Sequence, residues 1–393
     1  MAQDHSLDPT IPSTSYMEAY GIEPDEFEIL ETDPFTRLRT LGGKNSGARK
    51  VCEVKHNDSG KVYARKEFEF WVRDNHELAK KVQKEASIIK DIRHQHIVQH
   101  WGIHRIEKEK MFGLLIRPVA DKSLAEFFKQ VEGEKDTDKR LEYYKAMCQW
   151  PMCLFQALDY LHEAKIRHKD IKPSNILIKD NRVYLADFGI SKSFRDAATS
   201  KTQSQDRTRT DRYMAPETDN DELRGRATDV WALGCTVLEI CTVASGNTIE
   251  QLNSHLNKGS RKTYFYKSPY HVLDWIFLLL SSPGVDTQVG QHIQKILQLA
   301  FIMLDPDDKK RVTMKQLLSL LNRLDSEYFR SIVCLACDKC QDASKKQNYD
   351  AQFDYTFKKT SRGVYIPSKN GITSQTEAPW EVFKQRWLEI RIN

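Results

Sequence analysis

Apolar positions between Phe35 and Lys66 come in short alternating runs, Arg37–Leu41, Lys50–Val54 and Val62–Lys66. The breaks between them hold Gly42, Gly43 and Gly47, then Asn57-Asp58-Ser59-Gly60. Alternation punctuated by such turn residues predicts antiparallel strands joined by tight turns. From Glu77 to Ile92 the period changes, and Leu78, Val82, Glu85, Ile88, Ile89 and Ile92 fall near one face of a helix. Two further apolar runs, Ile97–Ile103 and Met111–Val119, predict strands. After Asp121 helical spacing dominates, over Leu141–Ala164, Val230–Val243, Tyr270–Leu280, His292–Met303 and Met314–Leu324. Short strand-like runs at Ile176–Ile178 and Val183–Leu185 interrupt it. A small β-rich part followed by a larger helical part predicts an α+β, two-lobed plan. No internal repeat is visible. Beyond about residue 326 the pattern is irregular and polar, apart from an aromatic end at Trp380, Phe383 and Trp387.

Composition narrows the class. A chain of 393 residues, 40% hydrophobic and 29% charged, is ordinary for globular proteins. That excludes collagen-like, coiled-coil and wholly disordered chains. The longest nearly apolar run, Val272–Leu280, is broken by Asp274 and falls far short of the roughly 20 residues that span a bilayer, so no membrane insertion is expected. The first thirty residues have neither a basic start nor an apolar core, and no secretory signal is visible. Eight scattered cysteines fit a reducing compartment, cytoplasmic or nuclear.

Charge adds an asymmetry. Residues 1–34 hold nine Asp/Glu and no Lys/Arg, so a net charge of +5 leaves +14 on the rest. Residues 1–33, with Pro9, Pro12 and Pro24, read as an acidic, disordered leader. The sharper alternative is a tail that docks on a basic surface of its own chain. No basic run with interleaved aromatics stands out, so no nucleic-acid partner is expected.

Three motifs in mid-chain carry chemistry. His168-Lys169-Asp170-Ile171-Lys172-Pro173-Ser174-Asn175, Asp187-Phe188-Gly189 and Ala215-Pro216-Glu217 follow one another within about fifty residues. In that order they resemble the catalytic core of eukaryotic protein kinases. Lys172-Pro173-Ser174-Asn175 is similar to the serine/threonine branch. The resemblance implies a two-lobed kinase fold, a five-stranded sheet with a regulatory helix hinged to a helical lobe. It places a kinase domain over about 34–325, with an N-lobe over about 34–117 and a C-lobe over about 120–325. Residues 326–393 form an extension of unknown role.

The implied reaction is transfer of the γ-phosphoryl group of ATP, with Mg²⁺, to serine or threonine hydroxyls of protein substrates. By the same resemblance, Asp170 orients the substrate hydroxyl and Lys172 neutralises the moving phosphoryl group. Asn175 and Asp187 supply hard oxygen ligands for the metal. Tyr63-Ala64-Arg65-Lys66 resembles the strand whose lysine reaches the α/β-phosphates, and Glu85 is the expected partner of Lys66. Ile116 guards the adenine pocket, backbone groups of Arg117 and Val119 meet the base, and Val51, Ala64 and Leu177 enclose it. Asp229 is expected to hold the catalytic-loop backbone around His168. Arg311 is expected to pair with Glu217, and Thr210 to bond the catalytic aspartate. Phe188 and Gly189 complete the metal-binding triplet.

The sequence also departs from that family. The phosphate loop reads Leu41-Gly42-Gly43-Lys44-Asn45-Ser46-Gly47, with Lys44 at the middle glycine position and Val51 two residues late. Lys169 stands where regulated kinases carry arginine, which makes loop phosphorylation a weaker expectation. The following segment offers the hydroxyls of Ser193, Thr199, Ser200, Thr202, Ser204 and Thr208. Asp206 falls at the usual phosphosite, facing the expected cations Lys192 and Lys169, and is a candidate stand-in for phosphate. Cys334, Cys337 and Cys340 have metal-ligand spacing but lack a fourth ligand, and reduced cysteines are the plainer reading. The altered loop and Lys169 keep a second function open, a kinase-like scaffold that binds nucleotide and partner proteins without turnover.

Overall fold

The computed structural model describes residues 28–42, 49–69, 90–106, 108–187, 212–219, 225–257, 264–281, 287–323, 355–359 and 365–369. The chain divides into two compact units between Asp121 and Lys122.

The first unit is a six-stranded sheet. Its strands are β1 (Glu28–Leu30), β2 (Phe35–Gly42), β3 (Arg49–His56), β4 (Val62–Glu69), β5 (Gln99–Ile106) and β6 (Met111–Arg117), in the order β1-β5-β6-β4-β3-β2. Five of these strands are antiparallel neighbours, as the alternating runs predict. A sixth adds to the five expected strands: β1 pairs in parallel with β5, Glu28 opposite His104. Residues 28–30, within the stretch read as an acidic leader, therefore belong to the sheet.

Strand β4 explains why alternation is lost where the strand runs through the middle of the sheet. It is buried from Tyr63 to Phe68, so both of its faces are covered. Register places Tyr63 opposite Val54, Arg65 opposite Cys52 and Leu115, and Lys66 opposite Val51 and Leu114. Successive residues point to opposite faces. One face thus carries Ala64, Lys66, Leu114 and Ile116. The other carries a small core of Phe35, Cys52, Val54, Tyr63 and Leu115, with Trp101 against it.

That second face also holds buried charge, which no periodicity signals. Arg65 Nη1 donates to both oxygens of Asp33 at 2.8 and 2.7 Å. Glu67 accepts from Arg65 and, with both oxygens at 2.8 Å, from Arg37. The Asp33–Arg65 bonds tie the segment after β1 to the sheet. His104 stacks on Phe35 at 5.3 Å and stands opposite Gly113 in register. A Cβ at Gly113 would collide with the His104 ring and crowd Arg65, so glycine is required at that position.

Burial sets the protonation of this unit. It holds the His94 and His100 imidazoles at about 4 and His104 at about 3, below the ordinary 6.5. Desolvation is the main cause, aided by His96 for His94, by Arg93 and Lys90 for His100, and by Arg65 for His104. Below pH 6.5 the unfolded chain binds protons that the folded unit refuses. The resulting stability is therefore complete above pH 6.5 and is lost as pH falls through 6.5 toward 4. Between pH 6.5 and 5 each histidine is expected to cost about 2 kcal/mol. Urea unfolding across that range should show the drop, smaller in His104→Leu; an equal drop in both proteins would refute the assignment.

The second unit is helical. It contains α1 (Leu124–Gly133), α2 (Thr137–Glu163), α3 (Arg226–Ala244), α4 (Ile249–Leu256), α5 (Pro269–Ser281), α6 (Thr287–Met303) and α7 (Met314–Arg323). Helices α1 and α4 extend the predicted set. Both open on reciprocal caps, Ser123 with Glu126 and Thr248 with Gln251. Helix α3 packs against α2 and α6 and is buried around its whole circumference from Asp229 to Ala244. It is long and apolar enough to cross a membrane by length and composition, but 89% of that window is buried inside the protein. Its apolarity is that of a central core helix. The strands β7 (Lys122–Ser123), β8 (Ile176–Lys179) and β9 (Arg182–Leu185) form a small sheet. A hairpin of β10 (Tyr355–Lys359) and β11 (Tyr365–Lys369) lies in the region that looked irregular in sequence.

Candidate active site

The loop that holds His168, Lys169 and Asp170 is held from behind by one carboxylate. Asp229, in the first turn of α3, is 2% exposed. Its two oxygens accept the backbone N–H groups of His168 and Lys169, each at 2.8 Å, and His162 Nε2 lies 3.2 Å from Oδ2. Lys169 adopts φ +68°, a left-handed conformation that is costly for a lysine. The Asp229 bonds to the two N–H groups that lead into Lys169 offset the strain. His168 is fully buried, and desolvation pushes its imidazole below the ordinary value against the pull of Asp229, Asp170 and Asp187. A neutral ring suits its geometry, since Nδ1 accepts the Asp170 N–H at 3.4 Å.

Asp170 follows, half-buried. Its Oδ2 accepts from Lys172 Nζ at 2.8 Å and from Asn175 Nδ2 at 2.9 Å. Asn175 Nδ2 also donates to the Asp170 carbonyl at 2.8 Å. Two acceptors facing the same nitrogen fix the orientation of the Asn175 amide. Its oxygen therefore points elsewhere and is the atom suited to a hard cation. Both side-chain donors reach the same oxygen of Asp170, so Oδ1 is the oxygen suited to an incoming hydroxyl.

Asn175 closes a 3₁₀ turn, Pro173–Asn175, and leads directly into β8. Strand β9 returns beside it, Ile176 opposite Leu185, and Ala186 N–H donates to the Asn175 carbonyl at 2.9 Å. Asp187 is thereby brought to the same end of the hairpin as Asn175. The hairpin is tight because Asp180 and Asn181 both take positive φ, 48° and 60°, as a two-residue turn demands. Trp150 of α2 donates its indole N–H to the Asn181 carbonyl at 3.1 Å and anchors the far end. Asp187 itself sits at φ +59°, a second strained residue at the site.

The Ala215-Pro216-Glu217 segment is pinned by Arg311. Arg311 reaches both oxygens of Glu217 at 2.6 and 2.9 Å, the Ala227 carbonyl at 2.9 Å and the Asp305 carbonyl at 2.8 Å. Its guanidinium lies 5.1 Å from the Trp231 ring centre. A second buried network beneath this segment has no counterpart in the sequence reading. Arg212 donates to Glu239 Oε1 at 3.0 and 2.9 Å, and Tyr213 donates its hydroxyl to Oε2 at 2.8 Å. Burial raises the Glu239 carboxyl, with Arg212 and Tyr213 opposing.

In the sheet unit, Lys66 is 4% exposed and shares its face with Ala64, Leu114 and Ile116. Gly42 pairs with Val51 at the root of the phosphate loop, and Leu41 and Val51 are half-buried. Arg117 ends β6 with its guanidinium between Tyr63 and Trp101, 5.0 and 5.1 Å from their ring centres, and Nε donates to the Val62 carbonyl at 3.2 Å. Its side chain is engaged away from the Lys66 face. Val119, and Leu177 on β8 of the helical unit, are half-buried. Gly43, Lys44, Gly47, Glu85, Phe188, Gly189, Lys192, Asp206, Thr208 and Thr210 lie outside the described residues, as do Cys334, Cys337 and Cys340 and leader residues 1–27.

The cysteines that are described, Cys52, Cys148, Cys153, Cys235 and Cys241, are buried thiols. Burial pushes Cys148 up to about 12 and Cys52, Cys235 and Cys241 upward as well, which makes them poor nucleophiles.

Comparison with known proteins agrees with this geometry. The protein kinase domain family matches residues 35–320, and the chain belongs to that family. It is 31% identical over 230 residues to human mitogen-activated protein kinase kinase kinase 3, covering 52% of this chain and 34% of that one. It is 28% identical over 280 residues to the MAP kinase kinase MKK1/SSP32 of Saccharomyces cerevisiae, covering 69% and 50%. It is 29% identical over 241 residues to the serine/threonine-protein kinase Nek3 of rice, Oryza sativa subsp. japonica, covering 60% and 37%. The chain thus spans between a third and a half of the length of these relatives.

Proposed function

We propose that this protein transfers the γ-phosphoryl group of ATP to serine or threonine hydroxyls of proteins. The observation that carries the reading is the Asp170 carboxylate, whose Oδ2 accepts from both Lys172 and Asn175. Phosphoryl transfer needs positioning and charge neutralisation more than covalent chemistry. Asp170 Oδ1 accepts the hydroxyl hydrogen of the substrate and orients its oxygen. Lys172 stays within reach of the transferred group while restraining Asp170. The Asn175 amide oxygen and the Asp187 carboxylate fit Mg²⁺ as hard oxygen donors. When bound, the metal supplies positive charge to the phosphate oxygens. Lys66, buried in β4, is assigned to the α/β-phosphates.

The relatives named as kinases within MAP kinase cascades support protein acceptors, and kinase domains are the first acceptors to try beside a generic protein. Buried, reduced cysteines and the family support a cytoplasmic or nuclear location. Ser174 follows Pro173 without offering a carboxylate. The carboxylate nearest Ser123, that of Glu126, closes the cap of α1. No strong preference for arginine upstream of the acceptor is therefore expected.

The test is incorporation of label from γ-labelled ATP with Mg²⁺, followed by phosphoamino-acid analysis and a peptide library. Phosphoserine or phosphothreonine without a dominant arginine requirement is the expected result. Nucleotide binding without transfer to any acceptor would favour the scaffold instead. A dominant upstream arginine would refute the specificity.

A further inference from the structure

One side-chain cluster of the helical unit takes no part in the chemistry above. His255 sits in the last turn of α4, and His271 and Asp274 lie three residues apart on α5. That spacing puts the latter two on one face of α5, and it is a spacing by which helices present paired carboxylate and imidazole ligands to metals. The rings of His255 and His271 meet edge to face, centroids 5.8 Å apart at 87°. One ligating atom from each of His255, His271 and Asp274 lies within 4.8 Å of the other two.

The cluster is braced from behind. The His255 ring also rests against Trp275, 5.2 Å between centroids. Trp275 is buried, and its indole N–H donates to Thr242 Oγ1 of α3 at 2.9 Å. The two histidines are half-buried and Asp274 is exposed. Two imidazoles are thus placed by packing, while the carboxylate stands on the side open to water.

We propose that His255, His271 and Asp274 form a divalent transition-metal site, zinc by preference, that clips α4 to α5. Two imidazoles and one carboxylate suit zinc, whereas magnesium and calcium favour all-oxygen sets. Metal–ligand bonds of about 2.0–2.2 Å require donors about 3.3–3.5 Å apart in a tetrahedral site. Closing from separations of at most 4.8 Å takes shifts of no more than roughly an ångström per side chain, within reach of side-chain rotation on two packed helices. Water fills the fourth position from the open side. Edge-to-face packing alone would explain the contact of the two histidines, but it gives no role to the carboxylate beside them.

The experiment uses the metal-stripped full chain in excess Mg²⁺, which saturates the oxygen ligands Asn175 and Asp187. Co²⁺ is the spectroscopic probe and Zn²⁺ the titrant. One Co²⁺ per chain is expected at this site, with visible ligand-field bands and no near-ultraviolet thiolate band. Zn²⁺ should displace it and raise the unfolding temperature. His271→Ala should abolish the signal. Asp274→Asn, at an exposed position that leaves folding intact, should weaken Zn²⁺ at least about tenfold. Replacing Cys334, Cys337 and Cys340 by serine should leave the visible bands unchanged. Absence of bound metal overturns the proposal. So does binding that survives Asp274→Asn undiminished, or binding that disappears with the cysteines instead.

Discussion

Asp170→Asn is expected to lower phosphoryl transfer by about 10²–10⁴-fold, the usual contribution of a positioned acid–base group. Nucleotide affinity should be unchanged, because among the described residues the Asp170 carboxylate bonds to Lys172 and Asn175 of its own loop. The variant keeps the shape and one carbonyl oxygen, which can still accept from Lys172 and Asn175 as Oδ2 does at 2.8 and 2.9 Å. The amide nitrogen then replaces Oδ1. A donor now stands where the substrate hydroxyl needs an acceptor, so orientation and proton acceptance are lost together. Rates with saturating ATP, beside an equilibrium nucleotide titration, measure the two quantities separately. A variant retaining more than a tenth of the activity would show that Asp170 does not carry the step. An equal loss of nucleotide binding would instead point to collapse of the loop.

Arg311→Ala is expected to cause the largest loss of stability, about 3–5 kcal/mol, as for other buried pairs deprived of one partner. The side chain is wholly buried and bonds both oxygens of Glu217 and the carbonyls of Ala227 and Asp305. Removing it leaves the Glu217 carboxylate without its partner, takes one donor from each of the Ala227 and Asp305 carbonyls, and opens a cavity beside Trp231. Arg311→Lys should recover only part of the loss, since an ammonium cannot reproduce the planar fork. Chemical denaturation of the three proteins tests this. A change below about 1 kcal/mol in Arg311→Ala would mean that the pair is hydrated and contributes as little as a surface pair.

These two predictions lie at opposite ends of what can be read from a chain. The Asp170 prediction concerns residues 168–175 and the hairpin that follows them, where function depends on spacing within one loop. The contacts that matter run from Asp170 to Lys172 and Asn175 and from Asn175 to Ala186. The Arg311–Glu217 pair is legible only through the family resemblance, because 94 residues separate the partners. Nothing local announces it. Periodicity does not announce helices α1 and α4, although Ser123 with Glu126 and Thr248 with Gln251 are capping pairs visible in the sequence. Their short apolar faces gave weak periodicity. The sixth strand was hidden for a related reason: β1 has three residues, lies in an acidic segment and gains its place only through β5.

Taken by itself, the sequence determined the α+β plan and the run of short strands from Phe35 onward, which rest on periodicity. Its mid-chain motifs carried the family resemblance, and the catalytic loop and metal-ligand candidates are what that resemblance implies. Only the tertiary structure decided that Asp33 holds Arg65, that Glu239 binds Arg212 and Tyr213, and that His255 meets His271. In those pairs the partners come from separate elements. Which acid finds which base depends on how whole strands and helices pack, and on the cost of leaving any buried charge without a partner.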